Sequence, residues 1–398
     1  MLALLHAVLQ GLFRFGRRFD PFLRPLLAPL LEGPLSRLVQ ASLNVTRRRD
    51  GIALGEERLL PDEAALTARI VERMQAHLRR DFTPGGFERG GQTKTYGVVA
   101  AELTILPDLP TDLREGVFAR PRTYPAWVRF SNPGPHLDAD IDDVGVASLS
   151  LKLMDVDGDK LLEEERWTQD FTAISTPTFV SRDLAANVAL QYWSKRHLGL
   201  FYFLNPRESH LRELLMQGLW SRTLTNPLCH AYYSCVPYRL GPSLAVQYGF
   251  TPLTTGERRI PRLPLRPPPD YLADNMERTL AAGDAVFEMT VQRQTDPFRM
   301  PIEDAAIIWP EGLSPRLPVA RLRIPRQAFR TEGRRALDRE MRVNPWHSLA
   351  AHRPLGSQNR GRLAIYRELA NCRQEANRIA HREPAPDDDE YRIVFPAA

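Results

Sequence analysis

The chain has 398 residues, 43% hydrophobic and 25% charged, an ordinary globular balance that is ample for one large domain or two smaller ones. No run approaches the roughly 18 consecutive apolar residues of a membrane span. The formal net charge is +5, but the arginines are scattered rather than gathered into a basic stripe and no zinc-ligand spacing occurs, so nucleic acid is not an expected partner. The three cysteines, Cys229, Cys235 and Cys372, are widely spaced. They argue against a disulfide scaffold and for buried thiols or a reducing compartment, which makes the expected location cytoplasmic. A count of 34 prolines implies many stops and long irregular connections.

At the N-terminus, Leu2, Leu4, Leu5, Val8, Leu9, Leu12 and Phe13 precede Arg14, Arg17 and Arg18. A secretory signal has the opposite order and ends in a small-residue cleavage site, which does not follow here. The stretch to Leu43 is amphipathic. It reads either as a surface for a membrane, through residues 1–43, or as a helical arm packed on the body or on a sister subunit of a homo-oligomer. Residues 1–50 are therefore set apart as an arm, 51–383 as the main domain and 384–398 as a tail.

Within the main domain, Pro61 to Arg80 has helical spacing, with Ala65, Leu66, Ile70, Met74 and Leu78 on one side and Asp62 placed to cap it. Thr95 to Ile105, Ala126 to Ser131 and Val146 to Leu153 read as strands. Leu184 to Trp220 returns to helical spacing. Gly256 to Pro269 is a basic, proline-rich surface connection. Strand patterns resume at Ala285 to Gln294 and at Val319 to Ile324, and Arg360 to Arg382 is the last long helix. The order suggests an α+β fold with a mainly antiparallel sheet or barrel.

On that last helix, Arg362, Tyr366 and Arg373 fall on one face. A phenol with an ordinary pKa near 10 becomes a good metal ligand only as phenolate, a form favoured by a ferric ion and by a guanidinium one turn away. Tyrosine is a known haem ligand, and an arginine fork suits a propionate. In an arginine-rich chain, however, a solvated helix face carries the same residues.

Context adds to the pattern. Arg362-x-x-x-Tyr366-x-x-x-x-x-x-Arg373 is similar to the proximal signature of the haem catalases. Upstream, Tyr124-Pro-Ala-Trp-Val-Arg129-Phe130-Ser131 resembles their Val-Arg-Phe-Ser strand. Asp142-Asp143-Val-Gly145 followed by Ser148-Leu-Ser-Leu-Lys152-Leu resembles their Arg-Gly-Phe-Ala-Val-Lys-Phe strand. Thr176-Pro177-Thr-Phe179-Val-Ser-Arg182-Asp183 resembles their Thr-Pro-x-Phe-Phe-x-Arg-Asp. Thr93-Lys94-Thr95-Tyr96-Gly97 and Asn344-Pro345-Trp346-His347 are similar to segments of the smaller bacterial catalase-like proteins.

The resemblance implies an eight-stranded antiparallel β-barrel with surrounding helices and a C-terminal proximal helix, haem b, and an oxidoreductase acting on hydrogen peroxide or organic hydroperoxides. It implies Tyr366 as the iron ligand, Arg362 as the arginine that keeps it anionic, Arg129 and Arg373 as partners of the propionates, and Ser131 as support for a distal histidine. Where the catalase-like relatives carry that histidine, after Thr-Lys-Thr, this chain has Tyr96. The distal asparagine falls near Ile174. Gln92 and His136 are the alternatives for the distal place. A neutral tyrosine donates a hydrogen bond but is a poor base at pH 7, so the expectation is weak catalase activity. A non-enzymatic haem carrier or sensor is the alternative. Elsewhere, Asp138, Asp140, Asp142 and Asp143 read as a solvated turn, because the glycine and glutamate of a calcium loop are missing. His347 reads as the anchor of a turn.

Overall fold

A computed structural model describes residues 2–45, 47 and 51–396. Helix α1 (Leu2–Val45) is followed by α2 (Glu63–Asp81) and then by strands β1 (Thr95–Ile105), β2 (Thr123–Ser131), β3 (Ser148–Leu153) and β4 (Gln169–Ile174). Three helices come next, α3 (Leu184–Ser194), α4 (Leu200–Leu204) and α5 (Leu211–Trp220). Strands β5 (Tyr232–Tyr233), β6 (Tyr238–Leu240) and β7 (Leu244–Pro252) lead to α6 (Tyr271–Ala282), β8 (Ala285–Arg293) and β9 (Leu317–Ile324). Helices α7 (Glu332–Glu340), α8 (Ser357–Asn377) and α9 (Asp389–Arg392) complete the chain. The expected strands all form. The stretch expected as one helical region is broken into α3, α4 and α5, and α8 ends at Asn377, five residues short of Arg382, where Arg378 turns into the left-handed region.

Every strand pairing is antiparallel. β1 to β4 form a meander, β4 meets β5 at Ile174 and Tyr233, β5 meets β7, and β7, β8 and β9 lead back to β1. These eight strands close a barrel, while β6 extends the hairpin with β7. Closure leaves the barrel with two faces per strand and a strict alternation. Val99, Val128, Phe130, Leu151 and Phe171 belong to the apolar core inside. Their neighbours Val98 and Trp127 point outward, into a second cluster with Leu337 of α7 and Tyr391 of α9. The tail is thus not loose: Tyr391 is buried, and its hydroxyl donates to the Ala101 carbonyl at 3.0 Å. Phe171, 1% exposed, meets the Tyr248 ring edge-on at 4.9 Å. Phe171→Ala should cost about 3–5 kcal/mol; an equilibrium urea titration showing less than about 1 kcal/mol would remove it from the load-carrying core.

Helix α2 starts as expected, but Asp62 makes no side-chain cap. Glu63 reaches back instead, accepting from the Leu60 N–H at 2.9 Å. Ile70, Met74 and Leu78 pack against Ile365 and Leu369 of α8 and Leu184 of α3. Two glycines let α8 reach its place. At Gly356, φ is +86° and a Cβ would lie 2.5 Å from the Ile302 carbonyl oxygen. At Gly361 a Cβ would lie 2.5 Å from Leu184.

Helix α1 runs through Pro21, Pro25, Pro29 and Pro34 without ending, although each removes a backbone donor. It is fastened to the body by arginines. Arg18 donates to the Pro264 and Leu265 carbonyls at 3.2 and 3.0 Å. Arg24 donates to those of Leu219 and Ser221 at 3.1 and 2.7 Å. No described helix is long and apolar enough to cross a membrane.

Candidate functional site

The outer wall of the barrel carries three rows of paired residues where β2, β3 and β4 run side by side. Trp127, Lys152 and Asp170 form the first, Arg129, Ser150 and Thr172 the second, and Ser131, Ser148 and Ile174 the third. Directly paired residues share a face, so Arg129 and Ser131 stand with Ser148 and Ser150, as the alternation of β2 predicts.

Arg129 is 2% exposed. Its Nε lies 2.6 Å from Asp338 Oδ1 of α7, and its Nη2 donates to the Gln92 carbonyl at 2.9 Å and to Thr95 Oγ1 at 2.6 Å. Arg89 Nη2 reaches the same Asp338 oxygen at 3.0 Å. Arg373 of α8 lies in this neighbourhood and donates to the Arg339 carbonyl at 2.6 Å. Asp338 thus pairs with Arg129 and Arg89, with Arg373 and the half-buried Glu88 close by. Burial would raise the Asp338 carboxyl, but Arg129 and Arg89 hold it well below the usual range. Burial brings Arg129 down to about 10 and Arg373 down to about 9.

At the other end of α8, the Arg362 guanidinium lies 5.5 Å from the Phe179 ring and 5.9 Å from the Tyr366 ring. Its Nη1 donates to Asn359 Oδ1 at 3.2 Å. Burial opposes its charge, but Tyr366 and Tyr238 nearby hold its pKa up. The Tyr238 hydroxyl is 3.5 Å from Thr172 Oγ1 of the wall. Helix α8 therefore spans the wall from the Thr172 side to the Arg129 side, with Tyr366 between its two arginines. Along this span several buried polar atoms find no hydrogen-bond partner: Arg129 Nη1, Arg373 Nη2 and the hydroxyls of Ser131, Ser148 and Ser150. Buried donors left unpaired are costly, and these five belong to the wall strands β2 and β3 and to α8.

Tyr96 does not join this set, contrary to the sequence expectation. The β1–β2 register slips between Thr95, paired with Ser131, and Gly97, paired with Phe130. Thr95 points to Asp338, donating at 2.6 Å, while Tyr96 turns into the barrel core with Val99 and Phe130. Burial and the nearby Asp143 push its phenol well above 10. The residue next to Arg129 on the outer side is Gln92, whose φ of +55° brings its carbonyl onto the guanidinium. His136 lies elsewhere, stacked on His197 at 4.6 Å and edge-on to His77 at 5.8 Å.

Two further expectations change. Asp140 and Asp143 are buried rather than solvated. Asp140 pairs with Lys94 at 2.7 Å and accepts the Leu272 N–H of α6 at 2.7 Å, tying the loop to that helix. His347 is more than a turn anchor. It is buried among Glu164, Glu165 and Asp170, at 2.8 to 3.0 Å. Cys229 and Cys235 are buried thiols, as expected.

Burial opposes charge on His347, yet Glu165, Asp170 and Glu164 raise its pKa from 6.5 to about 10. A folded value above the unfolded one stabilises fully below about pH 6.5, and that contribution is lost as pH climbs towards 10. The thermal midpoint should fall across this window, and the fall should flatten in His347→Gln; parallel profiles for the two proteins would refute the assignment.

Sequence reasoning missed Arg89, Asp338 and Tyr238. The serines of β3 carried a signal, since Ser148 and Ser150 alternate with leucines at a period of two. Asp338 carried none, because its α7 lies some two hundred residues from the strand it serves.

No protein-family model matches the chain, and no curated protein matches it. Solved structures do. The chain superposes on a fungal catalase with a TM-score of 0.58 at 16% identity, covering 86% of this chain and 72% of that one. For catalase A from Saccharomyces cerevisiae the TM-score is 0.57 at 16% identity, with 81% and 67% covered. A bacterial catalase gives 0.54 at 17% identity, with 82% and 64% covered. With its closed eight-stranded antiparallel barrel and surrounding helices, the chain adopts the catalase-like fold of these structures.

Proposed function

We propose that the chain binds haem b between the outer barrel wall and α8, and that it turns over hydrogen peroxide or organic hydroperoxides slowly. The observation that supports this reading is the set of buried, unpartnered donors on the wall strands and on α8, the helix that carries Tyr366. The residues present fit the group. Haem brings two carboxylates, and the Arg129 and Arg373 nitrogens left open lie near Asp338, which Arg129 and Arg89 already share. Tyr366 would hold the iron as phenolate, with Arg362 favouring the anion.

Bound haem iron would supply the redox chemistry of hydroperoxide cleavage. The hydroxyls of Ser131, Ser148 and Ser150 can donate hydrogen bonds to a polar ligand on the wall. None is a base at neutral pH, and β2, β3 and β4 contain no histidine. General acid–base help is worth about 10²–10⁴-fold, so turnover should be slow by that order beside a site that has it.

Reconstituting the purified chain with haem should give a Soret band and a resonance Raman phenolate signature, and Tyr366→Phe should remove the signature. A chain that takes up no haem would end the proposal. The absence of histidine from the wall strands favours a second reading, a haem carrier or sensor without turnover. Hydroperoxide consumption that disappears in Tyr366→Phe would retire it.

A further inference from the structure

Over most of its length helix α1 turns its polar side inward, while near its end Val39 and Leu43 pack on Met216 and Ile307. Its arginines bind the body: Arg14 pairs with Asp138, Arg18 with Asp142, and Arg24 with backbone carbonyls of α5 and the residue after it. Its two acids, Asp20 and Glu32, are both held by Arg24. Solvent is left with the apolar side. Leu4, Leu30 and Leu38 are 71%, 72% and 66% exposed, and among the described α1 residues Arg37 is the only exposed charged one. With 44 residues, the helix presents this side over about 66 Å. Soluble chains rarely leave so large an apolar surface uncovered.

The pattern of exposure separates the occupants. Adjacent pairs are exposed on successive turns, Phe22 with Leu23, Leu26 with Leu27 and Leu30 with Leu31. That is a broad face, unlike the narrow a/d seam of a helix pair. Beside it runs the loop from Gly256 to Pro269, tied to α1 through the Arg18 bonds to Pro264 and Leu265. There Leu265 stands 83% exposed, and Arg258, Arg259, Arg262 and Arg266 are exposed against a single acid, Glu257. A broad apolar face rimmed by arginines calls for a partner that is apolar within and anionic at its surface. A second copy offers no free acid on this helix to meet those arginines. A bilayer with anionic headgroups offers both.

We infer that the outer face of α1, with the Arg258–Arg266 rim, is a docking surface for an anionic membrane on which the chain lies without crossing. The inference is independent of haem. In flotation, the full chain should rise with phosphatidylcholine vesicles containing phosphatidylglycerol and far less with phosphatidylcholine alone, and added salt should weaken the difference. Leu26→Glu with Leu30→Glu changes solvent-facing positions only, so circular dichroism should be unchanged while the bound fraction drops at least about ten-fold. Arg262→Glu with Arg266→Glu should abolish the preference for the anionic vesicles. A chain that ignores both vesicle types, or whose binding survives the leucine replacements, overturns the inference. So does a dimer, seen by light scattering, that those replacements dissociate in a chain that binds no vesicle.

Discussion

Asp338→Asn should destabilise the fold by about 3–5 kcal/mol, the range for removing one partner of a buried ion pair, as read from urea unfolding. The size follows from what the carboxylate holds. It lies 2.6 Å from Arg129 and 3.0 Å from Arg89, and it accepts from Thr95 at 2.6 Å. Without its charge, Arg129 and Arg89 lose their partner beside Arg373, and the carboxyl left nearby is Glu88, itself raised by burial; burial already brings Arg129 down to about 10 and Arg373 down to about 9. The pH dependence has a definite sign. The folded Asp338 pKa is depressed, so its stabilisation is present above the ordinary carboxylate pKa near 3.9 and is lost as pH falls below that. In the variant the acid-side loss should shrink. A cost under about 1 kcal/mol would mean that solvent reaches the cluster. Haem carboxylates, if bound there, should lessen the penalty, which makes the holoprotein the more tolerant form of the variant.

Lys152→Met should cost a similar amount, about 3–5 kcal/mol, by a different route. Lys152 is 1% exposed and lies 2.8 Å from Asp170, with Glu165 also on its ammonium. Burial would raise Glu165, but Lys152 and His347 keep it far below its ordinary value. Removing the lysine leaves two buried carboxylates with His347 in contact with both and Lys160 nearby. The variant should therefore be hurt most at high pH, where His347 loses its proton. Adding Glu165→Gln should recover part of the loss. If the single variant unfolds at the wild-type midpoint, the network contributes no net stability.

Much of the barrel could be read in advance, because half-buried strands advertise themselves with a period of two. β1 was legible to the residue, and so was the shared face of Trp127, Arg129 and Ser131. β4 and β7 were not read, because both of their faces are buried and no polar alternation marks them, and neither were β5 and β6, whose two or three residues carry no period. Tyr96 shows the limit at a site. One slipped residue between Thr95 and Gly97 reverses which side of the strand a side chain takes, and nothing in the local sequence announces the slip. The partners of Arg129 were invisible for another reason. Asp338 is contributed by a distant helix, and a polar residue on a polar helix gives no sign of facing inward. The leucines of α1 were legible as amphipathic, but which side would face the body was not.

The closure of the barrel has a kinetic side. Ile105 of β1 bonds beside Ala320 of β9, so the ring cannot shut until more than two hundred further residues have been synthesised. Loop closure over that span is slow, and until it happens β1 is an open strand edge in a nascent chain whose first helix already displays its leucines. Newly made protein should therefore depend on a chaperone, or on early capture of α1, far more than the finished barrel does.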